Sequence, residues 1–275
     1  VDNILVLILI GFAIGTMGTL IGAGGGFILV PVLLLTHPSF SPDIVTAVSM
    51  ATVGCNAVSG SIAYARAGRI DYRAGLLFAL FTVPGSIIGV MLTPYIPRHL
   101  FDVVFGCLLL VLALFLFFNK AVPGEPGQKP VLRKGLTHHK LTDRAGETYS
   151  YAYSAPLGIC ISILVGFLSP LLGIGGGIIH VPALVRWLRF PVHIATATSH
   201  FILAIMSVVS IVTHIQQGSY HDGYVVRLVI GLSAGVVVGA QLGAWLSHKL
   251  KGNFIVKALA VCLALVGVRI LLTSL

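Results

Sequence analysis

The groups in this chain best suited to chemistry are peptide amides. Gly22-Ala-Gly-Gly-Gly-Phe-Ile-Leu-Val-Pro-Val-Leu33 and Gly173-Ile-Gly-Gly-Gly-Ile-Ile-His-Val-Pro-Ala-Leu184 share eight of twelve positions, and each lies inside a long apolar run. Three consecutive glycines weaken a helix by about 1 kcal/mol each relative to Ala, so both runs are expected to break there. A break frees the N–H groups that open the next half-helix, here at Gly24, Gly25, Gly26 and Phe27 and at Gly175, Gly176, Gly177 and Ile178. Such ends carry partial positive charge and favour anions. Hydrocarbon cannot solvate free peptide groups, so irregular backbone at membrane depth is expected only beside protein or a polar cavity. A duplicated glycine break in a hydrophobic segment is a sequence pointer to a transporter's substrate site.

Side chains near the two motifs fit the same chemistry. His180 follows the second motif directly, and His200 and His214 lie further on in apolar sequence. An imidazole titrating near pH 6.5 pairs with an anion or carries a proton with it, although a lone membrane histidine is equally at home as a packing residue. VTAVS, with Thr46 and Ser49, and ATATS, with Thr196, Thr198 and Ser199, stand in matching places after the motifs, and Asn56 follows the first. Their hydroxyls and amide either donate to an oxyanion or satisfy carbonyls of their own helices. Asp2, Asp43, Asp71, Asp102 and Asp222 fall at the ends of apolar segments, and Glu125, Asp143 and Glu147 in polar sequence, so no carboxylate is expected mid-membrane. Cation and proton pumps usually keep such a group, so an anion is favoured.

Other chemistries fit poorly. Neither glycine run continues into Gly-Lys-Ser/Thr or opens a βαβ unit, which argues against a nucleotide loop. An intramembrane hydrolase using Ser199 lacks a GxSxG and a buried acid. His200, its chain neighbour, stands about 100° away on a helix and cannot form a dyad with it. No cofactor and no metal site is expected. Cys55, Cys107, Cys160 and Cys262 lie in apolar spans without paired spacing and read as packing residues.

The elements that must position these groups are apolar segments. The chain has 275 residues, 57% hydrophobic and 9% charged, with a mean hydropathy of +1.02, whereas soluble domains are about 25% charged. Segments are expected at 3–21, 27–36, 43–65, 74–94, 99–119, 152–172, 178–189, 193–216, 224–247 and 254–273. The second and seventh are too short to cross a ~30 Å hydrocarbon core at about 1.5 Å per residue, so each is read as one arm of a broken or re-entrant hairpin. The halves stay in register at an offset near 150, pairing Ser49 with Ser199 and Gly85 with Gly235. The expected fold is therefore an all-α polytopic membrane protein of two inverted repeats, each of about five helical segments. Residues 1–119 form the first repeat, 120–150 a basic linker and 151–275 the second repeat.

Charge gives the expected orientation. With the linker cytoplasmic, fourteen of the seventeen Lys and Arg residues fall inside and only Arg98, Arg227 and Arg269 outside. Both termini are then outside a plasma (bacterial inner) membrane. Arg66, Arg69 and Arg73 read as cytoplasmic anchors facing lipid headgroups. The formal charge of +9 is dispersed, which argues against nucleic acid. Gly231, Gly235 and Gly239 leave open a homodimer face or close packing within one subunit.

Taken together, the paired GxGGGxxxxPxL motifs at Gly22 and Gly173, the VTAVS and ATATS stretches, and Gly68-x-Ile-Asp71 with its weaker echo at Gly218 to Asp222 resemble the sulfite exporter TauE/SafE family. The resemblance covers nearly the whole chain. It implies an anion transporter, an exporter of sulfite or a small sulfonate. A passive anion channel is the alternative, since both need a polar path.

Overall fold

The computed structural model describes residues 3–118, 136–249 and 252–274, so the linker residues Lys120, Lys129, Arg133 and Lys134 lie outside the described residues. The helices are α1 (Ile4–Ile21), α2 (Gly26–Thr36), α3 (Pro42–Ala67), α4 (Tyr72–Leu92), α5 (Arg98–Phe118), α6 (Ala155–Leu172), α7 (Gly177–Arg186), α8 (Val192–Gln217), α9 (Gly223–Lys249) and α10 (Gly252–Ser274). Strands β1 (Thr137–Thr142) and β2 (Thr148–Tyr153) lie between α5 and α6. Seven of the helices are long and apolar enough to cross a membrane, and the chain is a multi-pass, all-α membrane protein. Each expected segment is met by a helix, with ends within three residues.

Local signals set the helix ends. Asn3 caps α1 through its side chain, and the Asp71 carboxylate caps α4 by accepting the Ala74 amide at 3.0 Å. Gly22, Gly68, Gly173 and Gly218 end α1, α3, α6 and α8 in the left-handed conformation that an L side chain resists. α2 has 11 residues, roughly 16 Å at the standard helical rise, and does not span a bilayer core.

Small residues zip the helices together in matched pairs. α1 packs on α9 through Gly235 against Ile8 and Phe12, Gly239 against Phe12 and Thr16, and Gly243 against Thr16 and Leu20, so the two helices run parallel. α4 packs on α6 in the same sense, Gly85 against Ile163 and Phe167 and Gly89 against Phe167 and Leu171. The glycines that left a dimer face open are thus used inside one chain.

Helices in equivalent places of the two halves instead meet antiparallel. In the α3–α8 pair Gly54 faces Ser207 and Ile211 while Gly60 faces His200; in the α5–α10 pair Gly106 faces Leu271 and Gly267 faces Leu110. A two-fold axis perpendicular to the helices requires this relation. At both glycine breaks the chain folds back on itself. Ile4 and Leu7 lie beside Gly231 near the start of α9, and His37, just past α2, reaches Tyr224 there at 2.7 Å, so α1 runs in and α2 returns. Likewise Gly158 near the start of α6 meets Leu188, just beyond α7.

The linker is more than polar tether. β1 and β2 pair antiparallel from Thr137 opposite Tyr153 to Thr142 opposite Thr148, and the hairpin docks on the end of the bundle where α3 turns into α4. The cysteines are free, and Cys107 and Cys160 are exposed rather than packed in the core.

Candidate functional site

The two bends touch. A side chain on Gly26 would collide with the Gly173 carbonyl and with Ile174, and one on Gly177 with the Gly22 carbonyl and Ala23. Every residue from Gly22 to Phe27 and from Gly173 to Ile178 is buried. Close approach of two backbones explains why both positions are glycine.

Serines from the long central helices brace each bend crosswise. The Ser49 hydroxyl on α3 donates to the Gly173 carbonyl, and the Ser199 hydroxyl on α8 donates to the Gly22 carbonyl at 3.4 Å. Asn56 adds a brace in the first half only, its Nδ2 donating to the Gly24 carbonyl at 3.0 Å while its Oδ1 accepts from the Thr19 hydroxyl at 3.0 Å. The Tyr64 hydroxyl donates to the Thr19 carbonyl at 2.7 Å, and His200 Nε2 stands 3.2 Å from Thr19 Oγ1.

Carbonyls are thus well supplied with donors, whereas the amides at the bends are not. Among the described residues, the N–H groups of Gly25, Gly26 and Phe27 and of Gly175, Gly176 and Gly177 donate to no protein acceptor. Buried backbone donors are nearly always paired, so six unpaired N–H groups on two crossed half-helix starts stand out, and half-helix starts are the chemistry that favours anions. On the second bend the unpaired N–H groups begin one residue earlier than on the first, at Gly175 rather than at Gly176, the counterpart of Gly25, and the expected Ile178 amide is not among them. Gly176 is right-handed at φ −52° where Gly25 is left-handed at φ 88°, so α7 starts turning sooner and the Ile178 amide already bonds the Gly175 carbonyl.

Ser169 Oγ, Thr196 Oγ1, His180 Nδ1 and His200 Nδ1 are also buried without a hydrogen-bond partner. Thr196 packs against Gly22 and His180 against Gly176. Thr46, the repeat counterpart of Thr196, instead donates to the Asp43 carbonyl at 3.0 Å. Of the sequence-derived candidates, the bend residues Gly24 to Phe27 and Gly175 to Ile178 gather here with Ser49, Asn56, Ser199, His180 and His200. Thr198 does not join them: its Oγ1 accepts the Asp71 amide at 3.0 Å, at the start of α4. His214 lies at the far end of α8, 3.3 Å from Ser219.

A second polar cluster ties the hairpin to that same Asp71. His139 Nδ1 lies 2.7 Å from Asp71 Oδ2, and the Tyr151 hydroxyl donates to this oxygen at 2.7 Å. Burial and then the Asp71 charge push the Tyr151 phenol well above its usual range, so it stays a donor. Tyr153 beside it is raised to about 12, chiefly by burial. Arg69 is no lipid-facing anchor: its guanidinium is buried against Asp143 of the hairpin turn, with Nη2 3.1 Å from Oδ2. A charge beside a glycine turn gives no sequence sign of such a partner, because the two residues are 74 apart in the chain.

The model of the family described as Sulfite exporter TauE/SafE matches residues 7–270 of the chain. The chain belongs to the sulfite exporter TauE/SafE family. Among curated proteins of similar sequence, the probable membrane transporter protein YunE of Bacillus subtilis strain 168 is 33% identical over 98% of this chain and 97% of its own length. The probable membrane transporter protein MJ0441 of Methanocaldococcus jannaschii is 25% identical over 97% and 94%, respectively. A probable membrane transporter protein of Xylella fastidiosa strain Temecula1 is 26% identical over 89% and 84%. No solved structure matches the chain. As a TauE/SafE protein, the chain is a membrane transporter and not an enzyme.

Proposed function

We propose that this TauE/SafE transporter moves a small sulfur oxyanion, sulfite or an organosulfonate, outward across the plasma membrane by alternating access around the crossed glycine bends. The observation that carries this reading is the meeting of six acceptor-free buried amides from two oppositely directed half-helices. They offer partial positive charge from both sides without placing a full protein charge in the bilayer. The antiparallel pairing of α3 with α8 and of α5 with α10 supports two inverted repeats that rock against each other. Complete burial of both bends suits an occluded carrier better than an open channel.

In this reading the hairpin is cytoplasmic, both chain ends are external, and the hairpin closes the inner mouth. Thr198 joins Asp71 to the α8 stretch that also carries Ser199 and His200, so hairpin and anion site share one helix.

The test is uptake of labelled sulfite and of a small sulfonate by liposomes holding the purified chain. Saturable uptake is expected, with each anion competing against the other. Folded protein that moves neither anion in either direction overturns the reading, and linear flux with single-channel currents replaces the carrier by a pore.

A further inference from the structure

The hydrogen-bond chains around His180 and His200 fix what their rings offer a ligand. At the first bend, the Asn56 amide nitrogen must face the Gly24 carbonyl, so its Oδ1 faces Thr19 and takes the Thr19 hydroxyl proton. The Thr19 oxygen then accepts from His200 Nε2–H at 3.2 Å. At the second bend, the Ser162 hydroxyl gives its proton to the Gly158 carbonyl at 2.8 Å, so its oxygen accepts from His180 Nε2–H at 3.4 Å. Each neutral ring therefore carries its proton on Nε2 and leaves Nδ1 as a bare lone pair, which for His180 lies beside Gly176 of the second bend. Both Nδ1 atoms are unpartnered, on side chains that are 1% exposed for His180 and fully buried for His200. An oxyanion without hydrogen satisfies the amides but leaves these two acceptors unpaired, and leaving a buried polar group unpaired is a strong ground for rejection.

Resting on the anion-site reading above, we propose that the preferred substrate is an anion bearing its own hydrogen-bond donor, an acidic O–H as in hydrogen sulfite. Its oxygens face the bend amides and its O–H is accepted by His180 Nδ1 beside Gly176. The groups facing His200 are Thr19 from α1, Asn56, Gly60 and Tyr64 from α3, and Gly22; those facing His180 are Ser162 from α6 and Gly176. Tyr64 is the one titratable neighbour in these sets, and none is charged.

Calorimetric titration of the full-length protein in detergent compares two monoanions of similar size, hydrogen sulfite in mildly acidic buffer and methanesulfonate, which lacks the O–H. Hydrogen sulfite is expected to bind about ten-fold or more tighter, the scale of one buried donor–acceptor pair. Raising the pH to convert it to the sulfite dianion is expected to erase that advantage. His180→Leu, which installs the residue that the first repeat carries at Leu29, is expected to cut the ratio of hydrogen sulfite to methanesulfonate affinity. His180→Gln, whose amide oxygen can accept, is expected to keep part of it, and size-exclusion elution reports folding of both. Equal binding of the two anions by the unaltered protein, or an undiminished preference in a folded His180→Leu, overturns this inference alone. Binding of neither anion overturns the anion site itself.

Discussion

Gly26 and Gly177 are held to glycine by backbone rather than by conformation: neither has positive φ, and each faces a carbonyl of the opposite bend. Gly26→Ala and Gly177→Ala are therefore expected to push the bends apart, at about 1–3 kcal/mol for overpacking, and to lower anion uptake more than ten-fold. Gly223→Ala is the control, since no atom lies within 4 Å of the added methyl group and its φ is ordinary. Uptake by liposomes and thermal melting of the three variants check this together. A control that fails as badly as the bend variants removes the distinction between site and scaffold. The same scale explains the different weights of the polar residues. Thr52 and Ser86 satisfy carbonyls four residues back in their own helices, whereas Ser49 and Ser199 cross to the other half.

Among the described residues, the hairpin has no counterpart in the second half. It is fastened by a buried Arg69–Asp143 pair, by His139 and Tyr151 on Asp71, and by the Arg144 amide on the Ala67 carbonyl at 3.1 Å. Releasing the hairpin breaks all of these contacts together, whereas removing one partner of the buried ion pair in the docked state strands the other charge. If the inner mouth opens by hairpin release, locking it must stop transport. With Cys55, Cys107, Cys160 and Cys262 replaced by Ala, the Ala67→Cys/Arg144→Cys pair lies close enough for a disulfide. Oxidation is expected to abolish uptake and reductant to restore it. Unchanged uptake by the oxidised, cross-linked protein sinks the gate.

For the whole molecule, the pairing of α1 with α9 and of α4 with α6 interleaves the halves, so the first helix of each repeat packs mainly on the other repeat. In the proposed reading the folded-back bends do not cross, three helices of each half do, and this odd number gives the two repeats opposite orientations. The basic residues then set the side. Lys140→Cys in the same cysteine-free background stands exposed on β1 and is expected to react with a membrane-impermeant maleimide only after cells are opened. Labelling of intact cells reverses the orientation.

The sequence by itself determined the class and the ten helices of the described residues, because apolar length and glycine breaks are local signals, and its offset near 150 is the basis of the proposed twofold plan. It also singled out Gly24 to Gly26, Gly175 to Gly177, Ser49, Asn56, Ser199 and His200 as residues to watch. Only the tertiary structure decided that the bends cross, that Thr198 serves Asp71, that Arg69 is buried against Asp143, and that Thr19 fixes the His200 ring. These are contacts between residues 37 to 181 positions apart. No periodicity encodes them, because a hydrogen bond depends on where two helices meet, and that is settled by the fit of small residues on helix faces across the whole bundle.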